Sequence, residues 1–118
     1  MRNISFSMTM AQFRARTKDV TRRMGWAGAK PLDKLMGCEK CQGLGPGGKI
    51  VKMGAIQLVD VRQEPLRRMI DEPAYGREEC RREGFPDMTP AQFVDFFCRG
   101  HKGCTPETVI TRLEFSYL

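Results

Sequence analysis

No stretch of this chain stays apolar for the roughly 18 residues a membrane-spanning helix needs, so no membrane partner is expected. The opening run M-R-N-I-S-F-S-M has neither an apolar signal core nor a small-residue cleavage site, which predicts a cytoplasmic protein. Histidine occurs once, at His101, and a lone histidine beside glycines is expected to be a loop residue rather than a catalytic base. Internal repeats and low-complexity tracts are absent. The glycine-rich stretch Gly43 to Gly48 lacks the lysine-and-hydroxyl ending of a phosphate-binding loop, so it is predicted to be a hairpin loop. At 118 residues the chain is too short for two domains, and residues 1–118 are expected to form one.

Acidic residues are scarce in one place only. Residues 1–40 hold nine Lys/Arg against three Asp/Glu, whereas residues 41–118 hold eleven of each, so the net charge of +6 arises entirely in the N-terminal third. A patch concentrated in this way favours a polyanion such as RNA or DNA, or a phosphorylated ligand. Its centre is Arg14 to Arg23, R-A-R-T-K-D-V-T-R-R, with five basic side chains in ten residues. Lys18 and Thr21 stand three apart and would share one side of a single helical turn. A lysine that loses its proton can act as base for a threonine nucleophile, and surrounding arginines lower the lysine pKa by like-charge repulsion. Arg16, Arg22 and Arg23 are the candidate phosphate contacts. The plainer alternative is a solvated basic face at a helix end.

Along the chain, Ile4, Phe6 and Met8 alternate with serines, predicting a short strand. Thr9 and Gln12 have capping-box spacing ahead of a helix from Met10 to about Arg16, with Met10, Ala11 and Phe13 turned inward. A loop over 25–31 carries Trp26, which serves either as a core anchor or as a stacking platform for a base. Strands are predicted over 34–41 and 50–61. In the second, Ile56 and Leu58 share one face and Val59 and Val61 the other, a slip that implies a bulge. One or two short helices are expected over 66–83. Thr89-Pro90-Ala91-Gln92 marks a strong helix start, and Val109 to Tyr117 alternates as a final strand. The order implies an α+β chain with a bent, mostly antiparallel sheet, compatible with a small β-barrel flanked by short helices.

Five cysteines without a secretion signal argue against a disulfide framework. Cys98, His101 and Cys104 recur at three-residue spacing, and with Cys41 they form a candidate structural zinc site. Cys38 and Cys41 on a strand would face opposite sides, so both could bind only across a turn. Buried free thiols are the alternative.

The segment T-K-D-V-T-R-R after a strand and short helix, followed by P-L-D-K-L, R-E-G-F-P-D-M-T-P-A-Q-F and T-R-L-E-F, resembles the ASCH domain of the PUA-like superfamily over nearly the whole chain. It is most similar to the small stand-alone ASCH proteins of bacteria and their phages, which would place a phage-encoded copy in the host cytoplasm. The resemblance implies a PUA-like β-barrel with a cleft for RNA or a nucleoside, and no required cofactor. One branch of that family hydrolyses the amide of acetylated cytidine with a lysine, a threonine three residues later and a glutamate ahead of the M-T helix. Lys18, Thr21 and Glu83 fall on those positions, and Arg23 on a further arginine. The longer Gly43–Gly48 loop and the cysteine-rich stretches depart from that branch. Other ASCH proteins resemble nucleases or non-catalytic nucleic-acid-binding modules, and a surface that engages a host protein is a third reading.

Overall fold

The structure, a computed structural model, describes all residues from Met1 to Leu118. Five strands form one curled, mixed sheet in the order β1-β3-β4-β5-β2, a half-barrel carrying four helices. In chain order the elements are β1 (Arg2–Ser5), α1 (Met10–Arg14), β2 (Val20–Arg23), β3 (Lys34–Cys38), β4 (Lys52–Pro65), α2 (Arg68–Asp71), α3 (Pro73–Glu83), α4 (Pro90–Arg99) and β5 (Val109–Tyr117). β1 lies parallel to β3 and every other pairing is antiparallel. No helix is long and apolar enough to cross a membrane.

β4 is the spine of the sheet. Its first half pairs with β3 and its second half with β5, which requires the strand to curl. The register on β5 shifts between Leu58 and Asp60, leaving Val59 outside the ladder and 52% exposed. The expected phase slip is therefore a bulge, and it bends the sheet where β4 changes partners. β4 also continues to Pro65, four residues past the expected end, because Val61 to Pro65 all pair with β5.

The N-terminal expectation needs correction. β1 stops at Ser5, and Met8 is exposed rather than inward. α1 stops at Arg14, because Arg16 takes a positive φ of 59° that no helix continues through. Only Phe13 is buried among its apolar residues; Met10 and Ala11 face solvent. Thr9 caps nothing with its side chain, and Gln12 instead donates its amide to Gly84 O at 3.1 Å. β3 likewise ends at Cys38, three residues early, so Cys41 lies in a bend.

Two apolar cores result. Ile4, Phe6, Phe13, Leu35, Ile56, Leu58, Leu113 and Phe115 fill the concave side of the sheet. Leu66, Met69, Cys80, Phe93, Val94, Phe97 and Ile110 join the helices to the ends of β4 and β5. On β5 all of Ile110, Thr111, Arg112 and Leu113 are buried, so this strand is covered on both faces and not on one.

α4 begins as its sequence predicts. Thr89 Oγ1 accepts from Gln92 N at 3.1 Å, and Gln92 Oε1 accepts from Thr89 N at 2.9 Å, closing the capping box ahead of Pro90. Replacing Thr89 by Ala should cost about 1 kcal/mol of stability by removing this cap, readable as a lower urea midpoint at unchanged slope.

Candidate functional site

β2 and the end of α3 build the site. Thr21 and Arg23 stand two apart on a strand and therefore share a face. Lys18 lies in the segment between α1 and β2, so the Lys18–Thr21 spacing is spanned by extended chain and not by a helical turn. Glu83 is the last residue of α3, which stops at Gly84 with a φ of 97°. A Cβ at Gly84 would stand 2.9 Å from Gln12 Cγ, so the left-handed cap and the close approach of α1 both call for glycine.

These elements bring together residues 65 positions apart. Lys18 Nζ donates to Glu83 Oε1 at 2.8 Å and to the Glu83 carbonyl oxygen at 2.8 Å. Both residues are buried, at 2% and 3% exposure. Burial is the main influence on Lys18 and lowers its pKa; Glu83 pulls it back in part, and Arg23 and Arg22 add further lowering. Desolvation thus does most of what the sequence assigned to the arginines. Arg23 Nε donates to Thr21 Oγ1 at 3.0 Å. Burial brings Arg23 down to about 10, so it remains a cation at neutral pH. Lys18 makes no hydrogen bond to Thr21; its partner is Glu83.

Behind this group lies a charge network the sequence did not disclose. Arg22, expected as a phosphate contact, is 3% exposed and spends its guanidinium on protein carboxylates. It donates to Glu83 Oε2 at 3.2 Å, Glu64 Oε2 at 3.3 Å and Glu79 Oε1 at 2.7 Å. Arg112 holds Glu79 from the other side at 2.5 and 3.0 Å, and Tyr75 Oη donates to Glu64 at 2.8 Å. The buried charges balance: Lys18, Arg22 and Arg112 against Glu64, Glu79 and Glu83. Such balance is what permits six ionised groups to leave water. Burial alone would raise the Glu79 carboxyl, but Arg112 and Arg22 outweigh it and hold that group at about 2. The available signal was Glu79 and Glu83 four apart on one helix, which puts both carboxylates on one face.

Lys18, Thr21, Arg22, Arg23 and Glu83 line a cavity of about 830 Å³. Its opposite wall is α4 and the segments around it, with Phe85, Met88, Phe93, Phe96 and Phe97 interspersed with Gln92. The apolar side of α4 is thus divided: Val94 belongs to the core alone, and Phe93 and Phe97 serve core and cavity together. His101 also lines the cavity, its ring stacked on Phe97 with 4.2 Å between centroids.

Other expected residues lie elsewhere. Arg16 is exposed, sits over the Tyr117 ring at 5.2 Å and borders a separate polar groove with Asp19 and Arg81. Trp26 is half-buried against the concave core, under the Arg2 guanidinium at 3.8 Å, and does not line the cavity. The candidate zinc ligands do not assemble: no group of three or more His, Cys, Asp or Glu side chains is placed to hold a metal ion. Cys98 and Cys104 meet at 3.1 Å, but His101 Nδ1 lies 2.8 Å from Phe97 O, and Cys41 lies beside Cys38, whose thiol pKa is raised by burial and then by Cys41.

Comparison with family models, curated proteins and solved structures finds no match for this chain.

Proposed function

We propose that this protein binds a nucleoside-sized ligand in the cavity beside β2 and hydrolyses the amide of an acylated cytidine with Lys18, Thr21 and Glu83, as the ASCH resemblance implies. The observation that carries the reading is the meeting of buried Lys18 and Glu83 in the wall of a cavity that also presents Thr21 and Arg23. A volume of about 830 Å³ suits a small ligand. Aromatic rings on one wall suit a base, and cations on the other suit developing negative charge.

The Lys18–Glu83 contact supplies a base and an acid from a single proton. Moving that proton from Nζ to the carboxylate yields a neutral amine and a carboxylic acid while the net charge of the buried pair stays at zero. Thr21 Oγ1 then attacks the acyl carbon as Lys18 takes the hydroxyl proton. Arg23, adjacent to Oγ1, faces the tetrahedral oxyanion. Collapse breaks the C–N bond, and the departing cytidine nitrogen takes its proton from Glu83. Water next adds to the Thr21 ester with Glu83 as base, releasing the carboxylic acid and restoring the hydroxyl. One water is consumed for each amide cleaved.

A non-catalytic nucleic-acid-binding module, or a nuclease-like ASCH protein, is the second reading. It is favoured by the resting hydrogen bonds, in which Lys18 serves Glu83 and the Thr21 hydroxyl is held by Arg23. The experiment is direct. Incubation with N4-acetylcytidine should release cytidine and acetate, with KM nearly independent of salt. No release, together with RNA affinity that falls steeply with salt, would favour the binding module, because each neutralised phosphate steepens the salt slope.

A further inference from the structure

We propose that Cys98 and Cys104 are a reversible oxidation site whose disulfide locks the segment forming one wall of the cavity. Cys98 lies in the last turn of α4, one residue before its end at Arg99, Cys104 follows the turn after the helix, and their sulfurs lie 3.1 Å apart. Both residues are half-buried thiols, so a small oxidant can reach the pair. The chain between them is a tight turn. His101 N donates to Cys98 O at 3.2 Å, Cys104 N donates to His101 O at 3.1 Å, and Gly103 takes a φ of 78°. The two sulfurs are thus held together by backbone geometry before any bond forms. Cys38 and Cys41 also lie side by side, but no cavity-lining residue falls between them.

The consequence follows from what lies inside the loop. Arg99, Gly100 and His101 all line the cavity, and His101 is stacked on Phe97. In the reduced protein this segment is tied to α4 by its backbone bonds and by that stacking. A bond between residues 98 and 104 closes it into a ring with His101 at the centre, so the cavity wall loses freedom on oxidation. The co-reactant is a small-molecule disulfide such as oxidised glutathione. One protein thiolate attacks it, expelling a glutathione thiolate and forming a mixed disulfide. The second protein sulfur, once deprotonated, attacks the first and expels the other glutathione. The protein loses two electrons and two protons, and the oxidant leaves as two thiols.

The existence of the bond does not depend on the proposed hydrolysis; only an effect on turnover would. The full chain should be treated with oxidised glutathione, and its peptides compared by mass. The Cys98–Cys104 peptide should become lighter by about 2 Da, the mass of two thiol hydrogens, with Cys38, Cys41 and Cys80 still free to alkylate. The ring-proton resonances of His101, the sole histidine, should shift on oxidation and return with dithiothreitol. In Cys104→Ser the reversible shift should vanish and glutathione should remain attached at Cys98. Stable glutathione adducts on the wild-type pair, or two thiols that stay alkylatable, would overturn the disulfide. A disulfide that forms without moving the His101 signals would overturn the coupling to the cavity. Failure of N4-acetylcytidine hydrolysis in either redox state would bear on the proposed function alone.

Discussion

Thr21→Ala should lower turnover of an N4-acylated cytidine by about 10³-fold or more, while binding of the nucleoside changes by less than about tenfold. The substitution removes the attacking oxygen and a hydroxyl that is 3% exposed at the residue level, so little contact area goes with it. It also removes the acceptor of the 3.0 Å bond from Arg23, a loss of about 1 kcal/mol in stability. Thr21→Ser keeps the oxygen and should retain a large part of the rate, which separates lost chemistry from lost packing. The rate should fall as pH rises far enough to strip the single proton shared by Lys18 and Glu83, because that proton must reach the departing nitrogen, and burial lowers the Lys18 pKa from 10.5. A kcat profile should therefore inflect below 10.5, and Lys18→Met should abolish both rate and inflection. Equal turnover in wild type and Thr21→Ala would end the nucleophile assignment.

Glu79→Gln should destabilise the fold by about 3–5 kcal/mol, although the residue lies outside the proposed chemistry. Its carboxylate sits between Arg22 and Arg112, both nearly inaccessible to water, and neutralising it leaves two buried guanidiniums without their shared counter-charge. The pH dependence follows with a definite sign. Glu79 is held at about 2 in the folded protein against 4.5 ordinarily, so its stabilisation is complete above the ordinary value and is lost as pH falls toward 2. The gap corresponds to roughly 3 kcal/mol. Urea midpoints of wild type and Glu79→Gln should differ widely at pH 7 and converge near pH 2. Parallel curves across that range would mean that Glu79 is not what anchors the network.

Much of the fold was legible because it is written locally. The α4 cap needs only Thr89, Pro90 and Gln92, and these satisfy one another within a single turn. The β4 bulge shows in the reversal of apolar phase between Leu58 and Val59, since alternation is intrinsic to an extended chain. The N-terminal segments were less legible. Met8, Met10 and Ala11 carry apolar patterns that no partner surface covers, so the pattern overstated both β1 and α1. The same holds for Cys41, which a strand reading placed in β3 but which lies beyond its end.

The sequence by itself determined an α+β chain, the main strands and helices, and Lys18, Thr21, Arg23 and Glu83 as candidates for one cavity. Each depends on periodicity, capping or spacing within a short window, or on the family pattern those spacings resemble. Only the tertiary structure decided what the charges do. Arg112, Glu64 and Glu79 look in sequence like ordinary solvated residues and Arg22 like a phosphate contact, and their burial exists only because α3 lies against β2 and brings opposite charges together. The cavity is likewise non-local, formed where α4 faces β2 across residues with no relation in sequence. A side chain's charge is set by its own chemistry, but its desolvation depends on what packs over it, and that is fixed only when distant segments meet.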